Sequence, residues 1–421
     1  MPLGLLALGT WLEGRHVVIV DGRFELAPEA RVVELARNAL LLGVNVRTGE
    51  PLREGLRVSR AARAASPRLP IVWGGPHVSL DPQSCLATGV VDACAPGAGE
   101  ESLQAAVAAL RSARPLASVP GLSVLGSEAV APAPPPTRLW PRADYSLLDV
   151  ERYFEERGAR RLDYCSSRGS RDAPDWLGLR AERVVGEAME LGERYRASEL
   201  SFQDEDFFAD PVRVEEVANG LIDCGAPLGW RAGARAQDVL EAEPLALRRL
   251  VESGCRGLQL VVAGALRERL LEAGARMRDA GLGGRFVFDV AEEAGRGHGL
   301  ASAVSIARAL CAMDSRFETP IRRHREAPAV GVESGRSLEA WSAVASAPWS
   351  DAAAERRLSR AAFFFAEAQR APGRRLGKHL LRVLALLRVR LGFFTLDLER
   401  VAVELSALLR TGRARPRPGR D

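Results

Sequence analysis

The sequence has almost no lysine: Lys378 is the only one among 58 basic residues in a chain of 421. Arginine carries the rest of the positive charge, and beside abundant alanine, glycine and proline this reads as GC-rich coding before it reads as phosphate recognition. An excess of one charge sign is also missing, since 58 basic residues face 54 acidic ones for a net charge of +4. That balance gives no ground for a nucleic-acid partner. No uninterrupted apolar run reaches the roughly 18–20 residues a bilayer crossing needs, so no transmembrane segment is expected. Six cysteines, at 85, 94, 165, 224, 255 and 311, include no two at the short spacing of zinc or iron–sulfur sites. A charged-then-apolar leader is lacking too, and the expectation is a cytoplasmic protein with free thiols. What is present is globular: 47% hydrophobic and 27% charged, long enough for two or three domains.

Residues 1–125 alternate helix-like and strand-like segments. Leu3–Leu12 reads as an apolar helix, His16–Asp21 as a short β-branched strand and Pro28–Leu41 as a helix. Leu42–Val46, Ile71–Trp73 and Val90–Ala95 read as strands, with helices at Arg53–Ala65 and Ser102–Leu110. Such alternation predicts βαβ units in a parallel sheet, with ligands beyond the strand carboxyl ends. Residues 126–150 form a linker, stiffened by Ala-Pro-Ala-Pro-Pro-Pro at 131–136. Residues 151–325 resume the alternation with five or six βα units, suiting a partial or full parallel barrel. A helical region follows at 326–410, then a polar, Arg/Pro-rich disordered tail at 411–421.

Four motifs stand in a specific order: Pro2-Leu-Gly-Leu5, Val72-Trp-Gly-Gly-Pro-His77, Val91-Asp-Ala93 before Gly97-Ala-Gly-Glu-Glu101, and Val119-Pro-Gly-Leu-Ser123. Together they resemble the cobalamin-binding domain of radical S-adenosylmethionine enzymes of the magnesium-protoporphyrin cyclase and hopanoid methylase type. The resemblance implies a Rossmann-like α/β domain that binds cobalamin on three loops. These are Asn45, Arg47, Thr48 and Gly49; Gly74, Gly75, Pro76 and His77; and Gly97, Gly99 and Glu100. Glycines after strands let backbone approach a flat corrin. An Asp-x-His-x-x-Gly pattern is lacking, so cobalamin without an axial histidine is expected. His77 reads either as a cobalamin contact or as a loop-structuring residue, with the second favoured.

The second half resembles the radical S-adenosylmethionine barrel of the same family. Ser201–Glu216, Trp230-Arg-Ala232, Glu252-Ser-Gly-Cys-Arg256 and Tyr164–Gly169 carry that likeness. Family enzymes place Cys-x-x-x-Cys-x-x-Cys after the Arg-Gly that closes the last segment, because three thiolates hold a four-iron cluster. Here those positions are Ser170, Pro174 and Leu177. Proline and leucine cannot ligate iron, and a neutral hydroxyl is a poor thiolate substitute. Two cofactor-supporting turns are also replaced, by Val261-Val-Ala-Gly264 and Asp289-Val-Ala-Glu-Glu-Ala-Gly295.

The resemblance therefore implies a degenerate TIM-like barrel: cobalamin retained, the iron–sulfur cluster absent, S-adenosylmethionine doubtful. The favoured reading is a pseudoenzyme or accessory partner of an active radical homologue in a biosynthetic pathway. The alternative is a cobalamin-dependent enzyme of polar, non-radical methyl transfer. Whether the chain is an enzyme stays open, and its small-molecule ligand is not readable. In the family a strand precedes the Pro-Leu-Gly-Leu helix and lies mid-sheet, so this domain lacks its first strand, and a start about 40–60 residues upstream is expected.

Asp204, Asp206, Trp230 and Arg231 are the candidates for a substrate pocket at the barrel mouth. Asp204, Glu205 and Asp206 read either as a cation site or, preferably, as acids solvated or paired with Arg231 or Arg235 beside a helix capped at Asp210. Strand alternation lets at most one of Trp230 and Arg231 point inward. The basic helix 376–391, with Arg374, Arg375, Lys378, Arg382 and Arg388, reads as core packing with a solvated face in preference to a membrane-surface helix.

Overall fold

Helix α1 (Leu3–Trp11) is apolar around its circumference and buries Leu6, Gly9 and Thr10. At Gly9 an added Cβ would stand 2.9 Å from Leu147 and 3.4 Å from Val17, so glycine lets α1 sit close on its neighbours. In the computed structural model, the structure describes residues 1–324 except 13, 128, 130–131, 133, 174–175, 263–266, 292–297 and 320. The expected helices beyond 325 and the tail lie outside the described residues, as do Pro174 and parts of both replaced turns. The chain divides into two compact units, Met1–Phe317 with Arg322–Ala347, and Glu318–Ile321 with Pro348–Asp421.

After α1 come α2 (Pro28–Ala36), β1 (Leu42–Asn45), α3 (Glu50–Ala65), β2 (Ile71–Gly74), α4 (Pro76–Leu80), α5 (Pro82–Leu86), β3 (Ala93–Ala95) and α6 (Glu100–Arg111). The three strands are parallel in the order β1-β2-β3. Ile71, Val72 and Trp73 of central β2 are buried on both faces, as a covered parallel strand requires. Helix α3 supplies one cover through Leu52, Gly55, Leu56, Ser59 and Ala62, an apolar stripe at helical spacing. Within that layer the Trp73 indole N–H donates to Ser59 Oγ at 3.0 Å, so no buried donor is wasted.

The strand expected at His16–Asp21 is extended but joins no sheet. Among the described residues β1 has β2 as its one sheet neighbour, and Gly43 and Asn45 are exposed. With no strand between it and β1 to carry hydrogen bonds, the run packs by side chains, Val17 and Ile19 lying beside Gly9 of α1.

A second sheet follows α7 (Val150–Arg157). It contains β4 (Arg161–Tyr164), β7 (Glu199–Phe202), β8 (Gly229–Ala234), β9 (Cys255–Val262) and β10 (Gly284–Ala291), side by side and parallel. A short antiparallel pair, β5 (Ser167–Arg168) and β6 (Leu177–Gly178), bridges from β4 to α8 (Ala181–Tyr195). Helices α9 (Pro211–Asp223), α10 (Ala236–Glu241), α11 (Pro244–Glu252), α12 (Arg267–Ala280) and α13 (His298–Met313) complete the βα series. The sequence reading missed α7 and α10, which are only eight and six residues long.

Alternation assigns the two faces of this sheet. Leu162, Tyr164, Leu200, Phe202, Trp230 and Leu258 are buried against helices: the Tyr164 hydroxyl donates to Glu187 of α8 at 2.7 Å, and the Trp230 indole donates to Ser253 after α11 at 3.1 Å. Phe202, Phe207 and Trp230 stack there with centroids 4.6–5.7 Å apart. The other face carries Arg161, Asp163, Glu199, Ser201 and Arg231, a polar lining for an open, partial barrel.

Candidate functional site

Three loops leave the carboxyl ends of β1, β2 and β3, and hydrogen bonds join them into one rim. The His77 amide donates to Val46 O at 3.3 Å, Thr48 Oγ1 and His77 Nδ1 are 3.0 Å apart, and the Gly97 amide donates to Ser79 Oγ at 2.9 Å. Gly75 has φ +101°, and a Cβ there would stand 2.1 Å from Asn45 Oδ1 and 2.8 Å from Val46 O. Only glycine permits both that backbone and that approach. Gly49 and Gly97 are also left-handed, at φ +96° and +69°.

Asn45, Arg47, Pro76 and Gly97 are exposed on this rim, and Thr48, Gly74, Gly75 and Gly99 are partly so. His77 is fully buried and holds the first two loops together through Thr48. Glu100, at the start of α6, is 5% exposed and ion-paired to Arg168 of β5, whose guanidinium also stacks on Trp140 at 4.7 Å. Its carboxylate is thus committed to joining the first sheet to the hairpin beside the second.

The carboxylates after β7 are likewise committed. Asp204 accepts from the Ser166 amide at 2.8 Å, from Ser166 Oγ at 3.1 Å and from Ser167 Oγ at 2.7 Å. Burial pushes its carboxyl above the ordinary range, with those bonds and Arg213 working against the shift. Asp206 is gripped by Arg171 through Nε at 2.8 Å and Nη2 at 2.5 Å, and by Arg235 Nη2 at 2.9 Å. Burial raises its carboxyl, but the Arg171 bonds outweigh that and hold it below the ordinary range. Arg171 extends to Asp238 at 2.6 Å, and Arg235 to Ser170 Oγ at 2.9 Å and Asp172 at 2.7 Å. Asp210 caps α9 by accepting from the Arg213 amide at 3.1 Å. Of the four residues expected in a substrate pocket, Trp230 faces the helices and Asp204 is sealed beneath Ser166 and Ser167. Asp206 closes a loop, and Arg231 alone remains on the sheet's polar face.

Leu177 lies in β6 opposite Arg168, and Ser170 accepts from Arg235. Nearby Cys165 has its Sγ 3.1 Å from Ser167 O, and its thiol is pushed up to about 12 by burial and by Asp204. Among the described residues no group of three His, Cys, Asp or Glu side chains is placed to hold a metal ion.

The sequence reading offered Arg235 as a partner of the acids after β7 but missed Arg171 and the Glu100–Arg168 pair, whose partners lie 35 and 68 positions apart with no spacing rule to join them. It counted Cys85 and Cys94 among the free thiols but did not bring them together behind His77. A hydrogen bond from Cys94, with His77 beside it, lowers the Cys85 thiol, and Cys94 is correspondingly raised.

Residues 1–107 match the family model of the B12 binding domain. The chain is 26% identical over 291 residues to the uncharacterized methyltransferase PH0819 of Pyrococcus horikoshii, covering 64% of this chain and 62% of that relative. It therefore spans about three fifths of that relative's length. Its fold is similar to the radical S-adenosylmethionine methyltransferase TsrM from Kitasatospora setae, solved with tryptophan substrate and a cofactor analogue. The TM-score is 0.59 and the identity 18%, over 76% of this chain and 70% of that one. It is also similar to the cobalamin-dependent S-adenosylmethionine radical enzyme OxsB, solved with aqua-cobalamin and S-adenosylmethionine. There the TM-score is 0.54 and the identity 16%, over 82% of this chain and 52% of that one.

Proposed function

We propose that this chain, which opens with a B12-binding domain on the fold of cobalamin-dependent radical S-adenosylmethionine methyltransferases, is a cytoplasmic cobalamin-binding protein without a functional iron–sulfur site. In this reading it serves as an accessory partner of an active homologue. The observation that carries the reading is the loop between β5 and β6. Where a cluster would require three thiolates, this chain has Ser170 and Leu177, with the loop closed by Arg171 and Arg235 on Asp206. Guanidinium groups repel iron and offer it no lone pair. The residues present do not fit the cluster.

The rim does fit cobalamin. Gly75 stands at the closest approach between the first two loops, and Asn45, Arg47, Pro76 and Gly97 give an exposed surface with amide and guanidinium donors for the corrin's amide arms. Bound there, cobalamin would supply a cobalt centre able to carry a methyl group. His77 is buried with its Nδ1 at Thr48, so it would hold the shape of the rim.

A hydroxocobalamin titration followed by absorbance tests the first half of this proposal. About one cobalt per chain is expected. Gly97→Asn should lower cobalt retention at least tenfold, because asparagine tolerates the left-handed backbone yet projects a side chain onto the rim. Equal retention in both proteins, or none in either, contradicts the proposal. The accessory role is tested by co-expression with a homologue carrying the three cysteines. Activity that needs both chains is expected, whereas methyl transfer by this chain alone without reductant would overturn it.

A further inference from the structure

The amino-terminal end of the second sheet holds a charge cluster that neither the rim nor the barrel mouth uses. Glu199, the first residue of β7, is 5% exposed, and three guanidinium groups converge on its carboxylate. Arg231 Nε donates at 2.8 Å, Arg161 Nη1 at 3.4 Å and Arg256 Nη1 at 3.4 Å. Among the described residues none of the three has a second carboxylate partner, so one negative charge faces three positive ones.

Strand register produces this convergence. Arg161, Glu199 and Gly229 are partners across β4, β7 and β8. Gly229 has no side chain, and Arg256 fills the space: a Cβ there would meet its Nε at 2.1 Å. The three arginine side chains nevertheless stay 35%, 41% and 50% exposed, with Arg256 also donating through Nη2 to Ser198 O at 3.2 Å. Beside Arg256 opens a cleft of about 350 Å³ walled by Ala226, Pro227, Leu228, Val251 and Cys255.

We propose that this end of the barrel binds a small molecule bearing a phosphate or carboxylate on an apolar body, the anion held by Arg161, Arg231 and Arg256 and the body seated in the cleft. One arginine with a well-placed fork satisfies a buried carboxylate. Three leave two charges uncompensated, and forked guanidinium donors match the oxyanions of phosphate and carboxylate groups. The strands run from this end towards the loops of the barrel mouth, so the site is separate from the cobalamin rim and stands or falls on its own.

Thermal denaturation of the full chain in inorganic phosphate, hexyl phosphate and hexanoate, against potassium chloride at matched ionic strength, tests the site. A saturable rise in Tm beyond the chloride control is expected, with hexyl phosphate binding more tightly than inorganic phosphate because it also fills the cleft. Arg256→Gln should weaken binding by on the order of tenfold, the loss of one charge-assisted hydrogen bond. Glu199 keeps two partners in that variant. Should it fail to fold, Arg231→Gln gives the same reading. A response no larger than chloride's, or one unchanged in the variant, overturns the proposal.

Discussion

Asp204 and Asp206 lie two residues apart and titrate in opposite senses. The Arg171 bonds depress the Asp206 carboxyl below the usual 3.8, so its contribution to stability is fully present above that value and is lost as the pH falls through the folded-state pKa. Burial raises Asp204, so the folded state favours its neutral form and loses stability as the pH climbs above 3.8 through the raised pKa. Urea denaturation across the acid range should separate them. Asp206→Asn is expected to lose about 2–4 kcal/mol at neutral pH, the scale of breaking a buried ion pair, with the deficit shrinking below pH 4. Asp204→Asn should instead gain on the parent as the pH rises. Parallel pH profiles for the two variants would contradict these assignments. Of the contacts involved, Arg235 was one of two partners the sequence offered for these acids, and Arg231, the other, pairs with Glu199 instead. Arg171 was not among them, since 35 residues separate it from Asp206 and only the fold brings them together.

Parallel strands with buried central residues announce themselves by β-branched runs, which is why β2 and the alternation of both halves were legible. The run at His16–Asp21 has the same composition, yet strand formation also needs a neighbour to bond, and composition does not report one. Glycines divide in a similar way. Gly75 combines φ +101° with two backbone or amide contacts, whereas an added Cβ at Gly43 of β1 meets nothing within 4 Å. Gly75→Ala should therefore cost at least about 2 kcal/mol and loosen the rim, while Gly43→Ala changes stability by less than about 0.5 kcal/mol. Chemical denaturation of the two variants gives the comparison, and equal costs would refute the rim geometry.

Two α/β layers, one ending in a glycine-lined rim and one forming an open barrel with a charged lining, make up the described molecule. The motifs that carried the family resemblance lie at strand ends and turns, where backbone demands restrict residue choice, so the architecture was largely readable. The fate of the site residues was not, because Glu100, Asp204 and Trp230 have the chemistry of site residues while packing commits each of them elsewhere. The Arg171–Asp206–Arg235 lattice stands in the loop where the family resemblance implies three thiolates, and the proposed function rests on that contrast. Iron and cobalt analysis, with an absorption spectrum, on protein purified anaerobically with hydroxocobalamin, iron and sulfide supplied tests this most directly. About one cobalt per chain with no iron is the expected result. About four irons per chain with thiolate-to-iron absorbance would contradict it.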